Sequence, residues 1–425
     1  MNHLSPLLVQ SSGICAERGE GSWLFDGEGR RWLDFTSGIG VTATGHCHPK
    51  VVEAARDQVG KLVHAQYATV THPNMLRLTD RLYEHLPRHL DAVAFSNSGS
   101  EAVETALRLA RQASGRPNII AFTGGFHGRT LAAASMTTST TKVRTGWQPL
   151  MAGVSFSPFP HSYRYGWSED DTVDFCLREL DHVLMTQSAP SDTAAMIIEP
   201  VQGEYGYYPA TKRFMQGLRE RCDKHGILLI ADEVITGFGR TGAWSGSRLW
   251  GVQPDMMCIA KAITSGYFPL GAALINERIA TAFESDSSGK AAIGHGYTYS
   301  GHPVGAAAAL AAIAETRRLD VVTNAAARGT QLYDGMVSLA GQYPVVGDVR
   351  GGHGLMTAME LVADQETKAP IDGKLAIKMQ KAAYQAGALI RVSGPNVILS
   401  PSLVIEEADI DITLNAVEEG LKAIS

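Results

Sequence analysis

An acid and an amine each close a short apolar run. The first run is Gly226-Ile227-Leu228-Leu229-Ile230-Ala231-Asp232-Glu233, the second Met256-Met257-Cys258-Ile259-Ala260-Lys261. Unbroken apolar runs of this length predict strands covered on both faces, the habit of a parallel sheet. Strand ends at the carboxyl edge of such a sheet line its ligand crevice. An aspartate delivered there can hold a pyridine nitrogen protonated, and a lysine can form a Schiff base with an aldehyde. Taken singly, each residue also has a plain reading: a solvated loop lysine and a helix-capping aspartate.

Companions decide between these readings. Small polar residues Asn97-Ser98-Gly99-Ser100 lead into an alanine-rich helical stretch, and a helix start with free amides is an anion site. Ser98, Gly99 and Ser100 fit a phosphate there, and equally a serine N-cap. Asn118–Phe122 predicts another buried strand, leading to Gly124-Gly125-Phe126-His127-Gly128-Arg129-Thr130. An aromatic between glycines can lie flat against a planar ring, and an arginine suits a substrate carboxylate because its fork is bidentate. Phe126 can also be core and Arg129 surface. A further buried run, 194–198, ends in Glu199, with Glu204 close behind. Asp232 and Lys261 are the two protein groups that pyridoxal phosphate chemistry needs, and the phosphate and stacking candidates favour that cofactor.

Composition bounds the alternatives. The chain has 425 residues, 44% hydrophobic and 19% charged, with a net charge of −6. That length implies more than one lobe. No basic stripe suggests nucleic acid. No apolar run reaches about 18 residues, so no membrane span is expected, and Met1–Pro6 lacks a signal-peptide pattern. Five scattered cysteines fit reduced thiols and a cytoplasmic enzyme. His46-Cys47-His48 lacks a second ligand pair at metal-site spacing, and no metal is expected. Gly237-Phe238-Gly239-Arg240-Thr241-Gly242 matches the dinucleotide fingerprint, but no helix start follows it, so a nicotinamide site is rejected.

Elements must carry these residues to one place. Strand–helix alternation over the middle of the chain predicts a doubly wound α/β lobe. Residues 21–35 read as two strands around an Asp-Gly turn, and 36–48 as a glycine-rich loop able to approach a ligand. A helix runs from Pro49 to about 62, another crosses over at 211–225, and residues 140–170 wrap over the site. Beyond Lys261, a strand near 271–275 and His295–Pro303 precede a helix at 304–319. The remainder reads as helix, short strands within 345–361, helix 375–385, strands near 387–392 and 397–399, and a last helix from Glu407. The expected division is 1–48 and 311–425 in a smaller α+β lobe built from both chain ends, with 49–310 in the large one.

The stretches Asn97–Ala102, Gly125–Thr130, Glu199–Glu204, Asp232–Gly242, Ala260-Lys261 and Thr298–Pro303 together resemble the class III (subgroup II) pyridoxal-phosphate aminotransferases. The resemblance implies a fold-type I architecture and a homodimer, with a dimer of dimers open. It implies Lys261 as Schiff-base lysine and Asp232 as partner of the pyridine nitrogen. The cofactor set becomes Ser98, Gly99, Ser100, Phe126, His127, Glu199, Val234 and, from the neighbouring subunit, Thr298. Phe126 stacks on one ring face and Val234 packs on the other. Within the family, Ile39, Arg129 and Glu204 are similar to the substrate residues of 4-aminobutyrate aminotransferases. Ile235 replaces their glutamine. Ser265-Gly266-Tyr267 and Ile390-Arg391-Val392 look more like ω-amino-acid:pyruvate aminotransferases, whose arginine at the Arg391 position swings. The expected reaction moves an ω-amino group, 4-aminobutyrate foremost, to 2-oxoglutarate or pyruvate, with Glu204 and Arg391 as a gate. Alternatives are a β-alanine, taurine or other ω-amine donor. A racemase on the same scaffold would need no 2-oxo acid, and a binding protein that had lost the chemistry would be colourless.

Overall fold

Seven strands form the central sheet of the computed structural model, which describes residues 3, 5, 10, 12–284 and 296–425. Their spatial order is Ala92–Ser96, Gly271–Ile275, Met256–Ile259, Leu228–Asp232, Thr193–Ile198, Asn118–Phe122 and Val154–Ser157. The apolar runs are buried end to end, as strands flanked by helices on both faces must be. Six strands run parallel. Gly271–Ile275 runs antiparallel to both its neighbours, a departure from the all-parallel expectation. The link from Ile259 to Gly271 is one 3₁₀ turn and a loop, too short for a crossover helix, so the chain folds straight back.

Smaller sheets join the chain ends. Ala16–Glu20, Trp23–Asp26 and Arg31–Asp34 form a meander, and Ala388–Leu389 from the far end of the sequence pairs parallel to Arg31–Asp34. A second sheet holds Val346–Arg350, Thr357–Asp364, Asn396–Leu399 and Arg391–Ser393. The strand expected near 387–392 is thus two strands in two sheets, because the chain changes sheet at Ile390. The expected helix from Pro49 stops at Val59, where Gly60 ends it. The helix Pro303–Arg318 runs unbroken through residue 310 and packs on Pro49–Val59 and Pro73–His85. His295 lies outside the described residues.

Residues 140–170 do not wrap over the cavity described below. They form a 3₁₀ turn, the sheet-edge strand Val154–Ser157 and a short helix Ser162–Tyr165. His161 at their end stacks on Tyr208 with centroids 4.1 Å apart. Apolar Val154 and Phe156 are drawn to the sheet core, and the loop follows them.

One close approach ties the C-terminal lobe to the loop after Asp232. A Cβ on Gly329, in the helix Val321–Ala340, would stand 2.0 Å from the Gly354 carbonyl oxygen. Gly354 itself has φ +63, and a Cβ there would meet the Arg240 carbonyl at 2.2 Å. Gly329→Ala is therefore expected to destabilise the fold by about 3 kcal/mol, the upper range for overpacking. The denaturant midpoint measures this; an unchanged midpoint would mean that the helix and turn can part freely.

Candidate active site

The two charged strand ends meet. Leu228–Asp232 and Met256–Ile259 are parallel neighbours with Asp232 beside Cys258, so Asp232 and Lys261 emerge at one edge. Lys261 opens a 3₁₀ turn at φ 46, a left-handed conformation that a lysine adopts only under constraint. Both line a cavity of about 430 Å³, large enough for a cofactor with part of a substrate. Lys261 is partly exposed, towards this cavity, but sits deep among protein atoms. That burial lowers its ammonium to about 8, against the pull of Asp232, Glu199 and Glu204. The amine is thus increasingly neutral as pH rises through 8. In ligand-free protein, labelling of Lys261 by a small amine-directed reagent should rise with a midpoint near 8. Peptide mapping across pH checks this, and a midpoint at the ordinary lysine value would contradict it.

Asp232 is held from behind. Its Oδ2 lies 2.8 Å from Nδ1 of His127, and its Oδ1 accepts the Val234 amide at 3.1 Å. Burial alone would depress His127, but the hydrogen bond and charge of Asp232, with Glu199 adding, raise it instead. The raised, protonated imidazole is the form that donates from Nδ1 to Asp232. Burial raises Glu199 above the ordinary carboxylate range, opposed by His127 and reinforced by Asp232. Its two oxygens accept the amides of Phe126 at 2.7 Å and Gly203 at 2.8 Å. Glu199 therefore spaces the Phe126 loop from the Glu204 loop.

The helix Gly99–Ser114 points its start into the same cavity. Ser98 is its N-cap, accepting the Glu101 amide at 3.2 Å, while Ser100 Oγ accepts the Arg129 amide at 3.2 Å. Each hydroxyl accepts an amide and keeps its own O–H to donate, and the backbone amides of Gly99 and Ser100 donate to none of the described residues, so amides and hydroxyls together can bind an anion. Asn97 Oδ1 is buried there without a partner among the described residues. A Cβ on Gly99 would press to 2.8 Å from Val234, which closes that side of the cavity.

The substrate candidates sit toward the mouth. Arg129 is exposed, with its guanidinium 5.1 Å from the Phe126 ring centroid. Ile39 lines the cavity at φ 70, a rare state for a β-branched residue. It is held there by Asp34, whose carboxylate accepts the amides of Thr36 and Ser37. Glu204 lines the wall and pairs with Arg391 at 2.5 Å. Arg391 itself is not a lining residue; it reaches the cavity through Glu204, and its Nη1 is buried without a partner among the described residues. Thr298 is exposed and lies apart from this chain's cavity. Val41, Thr264, Phe268, Pro269 and Leu270 also line it. None of these five carried a role in the sequence. Thr264 and Phe268 follow Lys261 closely, and that proximity is the one signal that could have flagged them. His46 and His48 go elsewhere, to Asp34 and Glu315.

Comparison with known proteins agrees with this geometry. The family model described as aminotransferase class-III matches residues 8–421. The chain is 38% identical to the 4-aminobutyrate aminotransferase GabT of Escherichia coli, over 97% of this chain and 92% of that one. It is also 38% identical to the 5-aminovalerate aminotransferase DavT of Pseudomonas aeruginosa, covering 90% and 86% respectively. Among solved structures, an amine transaminase from an uncultivated Pseudomonas species in its PLP-bound form superposes with a TM-score of 0.95 at 37% identity, covering 100% of this chain and 98% of that one.

Proposed function

Because the chain belongs to the class-III aminotransferases, which are pyridoxal-phosphate enzymes of fold type I, we propose that it moves the amino group of an ω-amino acid, 4-aminobutyrate foremost, to 2-oxoglutarate or pyruvate. The observation that carries the reading is Lys261 and Asp232 brought to one sheet edge within one cavity. The site fits the cofactor: two helix-start amides that donate to none of the described residues can receive phosphate oxygens, and Asp232 can receive a cationic ring nitrogen. When bound, the cofactor supplies an aldehyde and an electron-withdrawing ring that stabilises negative charge on the substrate carbon.

Every other task falls to side chains. Lys261 Nζ would take the proton from the carbon bearing the amine and deliver it on the cofactor side, a role its lowered ammonium suits. Asp232 keeps the ring nitrogen protonated, with His127 fixing its orientation. Phe126 and Val234 would flank the ring, and Gly99 and Ser100 would hold the phosphate, joined by Thr298 of a second subunit. A homodimer of this kind is supported by exposed apolar residues on the segment 59–83, among them Val63, Tyr67 and Val70. Five cysteines without a disulfide suit a cytoplasmic setting.

Two unlike substrates must share this cavity. An ω-amino acid carries its carboxylate far from the amine, toward Arg129. A 2-oxo acid carries one beside the reacting carbon, toward Arg391. While the donor is bound, Glu204 neutralises Arg391, which would otherwise be a costly unpaired charge. Glu204→Gln should thus weaken the donor half-reaction about tenfold and spare the acceptor half-reaction. Equal losses in both would remove the gate. The overall reading is tested by single turnovers of the holoenzyme with 4-aminobutyrate, 5-aminovalerate, β-alanine, taurine and diamines, ranked by the loss of cofactor absorbance. A protein unresponsive to all of them would overturn it.

A further inference from the structure

The Glu204–Arg391 pair joins two segments that are remote in sequence, and one buried guanidinium outside the cavity holds both. Arg350, its side chain 6% exposed, donates from Nε to the Gly206 carbonyl at 2.6 Å. From Nη2 it donates to Asn396 Oδ1. Its Nη1 pairs with Asp348 at 2.7 Å and Glu360 at 3.1 Å, and the guanidinium lies 4.1 Å from the Tyr208 ring centroid. Gly206 is two residues beyond Glu204. Asn396 pairs with Ser393 in the hairpin that carries Arg391.

The contact is built closely. Gly206 has φ +111, and a Cβ there would stand 2.7 Å from both Arg350 Nη2 and Asn396 Oδ1. Tyr207 follows at φ 56 and is buried. The loop is thus shaped to offer its carbonyl to Arg350. The surrounding charges balance, because Arg164 shares Glu360, which also accepts the Tyr208 hydroxyl. Arg350 therefore exerts no demand on a substrate carboxylate. A lysine could not replace it: one ammonium cannot reach a carbonyl, an amide oxygen and two carboxylates in the directions a planar fork does.

We propose that Arg350 is a positioning residue for substrate selection: it clamps the Glu204 loop to the Arg391 hairpin, so that Arg391 is held where a 2-oxo acid carboxylate arrives. This rests on the gate reading above and goes beyond it. Arg129 stands on another loop, anchored through Ser100, and is outside this clamp.

The test uses full-length holoenzyme with Arg350→Lys and Asn396→Ala, each alone and with Arg391→Ala. Both half-reactions are followed against substrate concentration, with thermal midpoints alongside. Arg350→Lys leaves the direct Glu204–Arg391 ion pair in place, so it should raise the half-saturating concentration of the 2-oxo acid about tenfold, as expected for lost hydrogen bonds to a charged group, with the limiting rate of that step and the donor half-reaction changed less than about twofold. Asn396→Ala should act in the same direction with a smaller effect, and it serves if Arg350→Lys does not fold. In the Arg391→Ala background either change should add less than about twofold, since the residue acted upon is gone. Equal losses in both half-reactions, or a full effect persisting without Arg391, would overturn the proposal. If Arg391→Ala alone leaves acceptor binding unchanged, the gate reading fails instead.

Discussion

Lys261→Ala is expected to slow the donor half-reaction by on the order of 10⁴-fold, the upper range for losing a positioned proton-transfer group. Among the described residues no other lysine lines the cavity. Its backbone is held at φ 46 and its ammonium is lowered to about 8 by burial, both suited to an amine poised as nucleophile and base. Lys261→Arg should lose as much, because a guanidinium stays charged at every working pH and cannot accept the proton. The helix-start amides of Gly99 and Ser100 do not depend on Lys261, so both variants should still bind the cofactor, without the covalent link. Rapid-mixing absorbance with 4-aminobutyrate measures the step. A variant within about tenfold of the parent would show that another group moves the proton.

Asp232→Asn is expected to cost about 10²–10³-fold in the same step, the usual loss when one preorganised electrostatic partner is removed. The amide is nearly isosteric, so packing between His127 and Val234 survives, but the negative charge that would face the ring nitrogen does not. His127 is raised because the hydrogen bond and charge of Asp232, with Glu199 adding, together offset its burial. Its protonation should therefore retreat in the variant, visible as a shift of its ring resonances to neutral form at a higher proton concentration than in the parent. An Asp232→Asn enzyme with the parent rate and an unmoved His127 would refute this role.

Sequence alone reaches far into this fold because the apolar runs are short, uninterrupted and followed by punctuation. The runs into Asp232 and Lys261 can be little else than covered strands, and their pairing follows from the sheet they build. What escapes is everything set by a close approach or a change of direction. The antiparallel Gly271–Ile275 strand depends on the length of a loop, not on the strand's own residues. The shift of chain at Ile390 between two sheets leaves no mark in periodicity. At the site, residues at strand ends and in the glycine-flanked loop were legible by type. Phe268, Pro269 and Leu270 were not, since an apolar wall residue looks like any core residue until the cavity beside it is seen. Ser98 carries both of its sequence readings at once: its hydroxyl oxygen accepts the Glu101 amide as an N-cap, while its O–H can still donate to an anion.

Everything about the chemistry depends on which amine holds the cofactor aldehyde. Borohydride reduction of the purified holoenzyme fixes that carbon permanently to the nitrogen it occupies, and proteolysis with mass spectrometry then identifies the residue. The modified peptide should contain Lys261 alone. Modification at another lysine, or none in a protein that carries the cofactor, would contradict the account at its root.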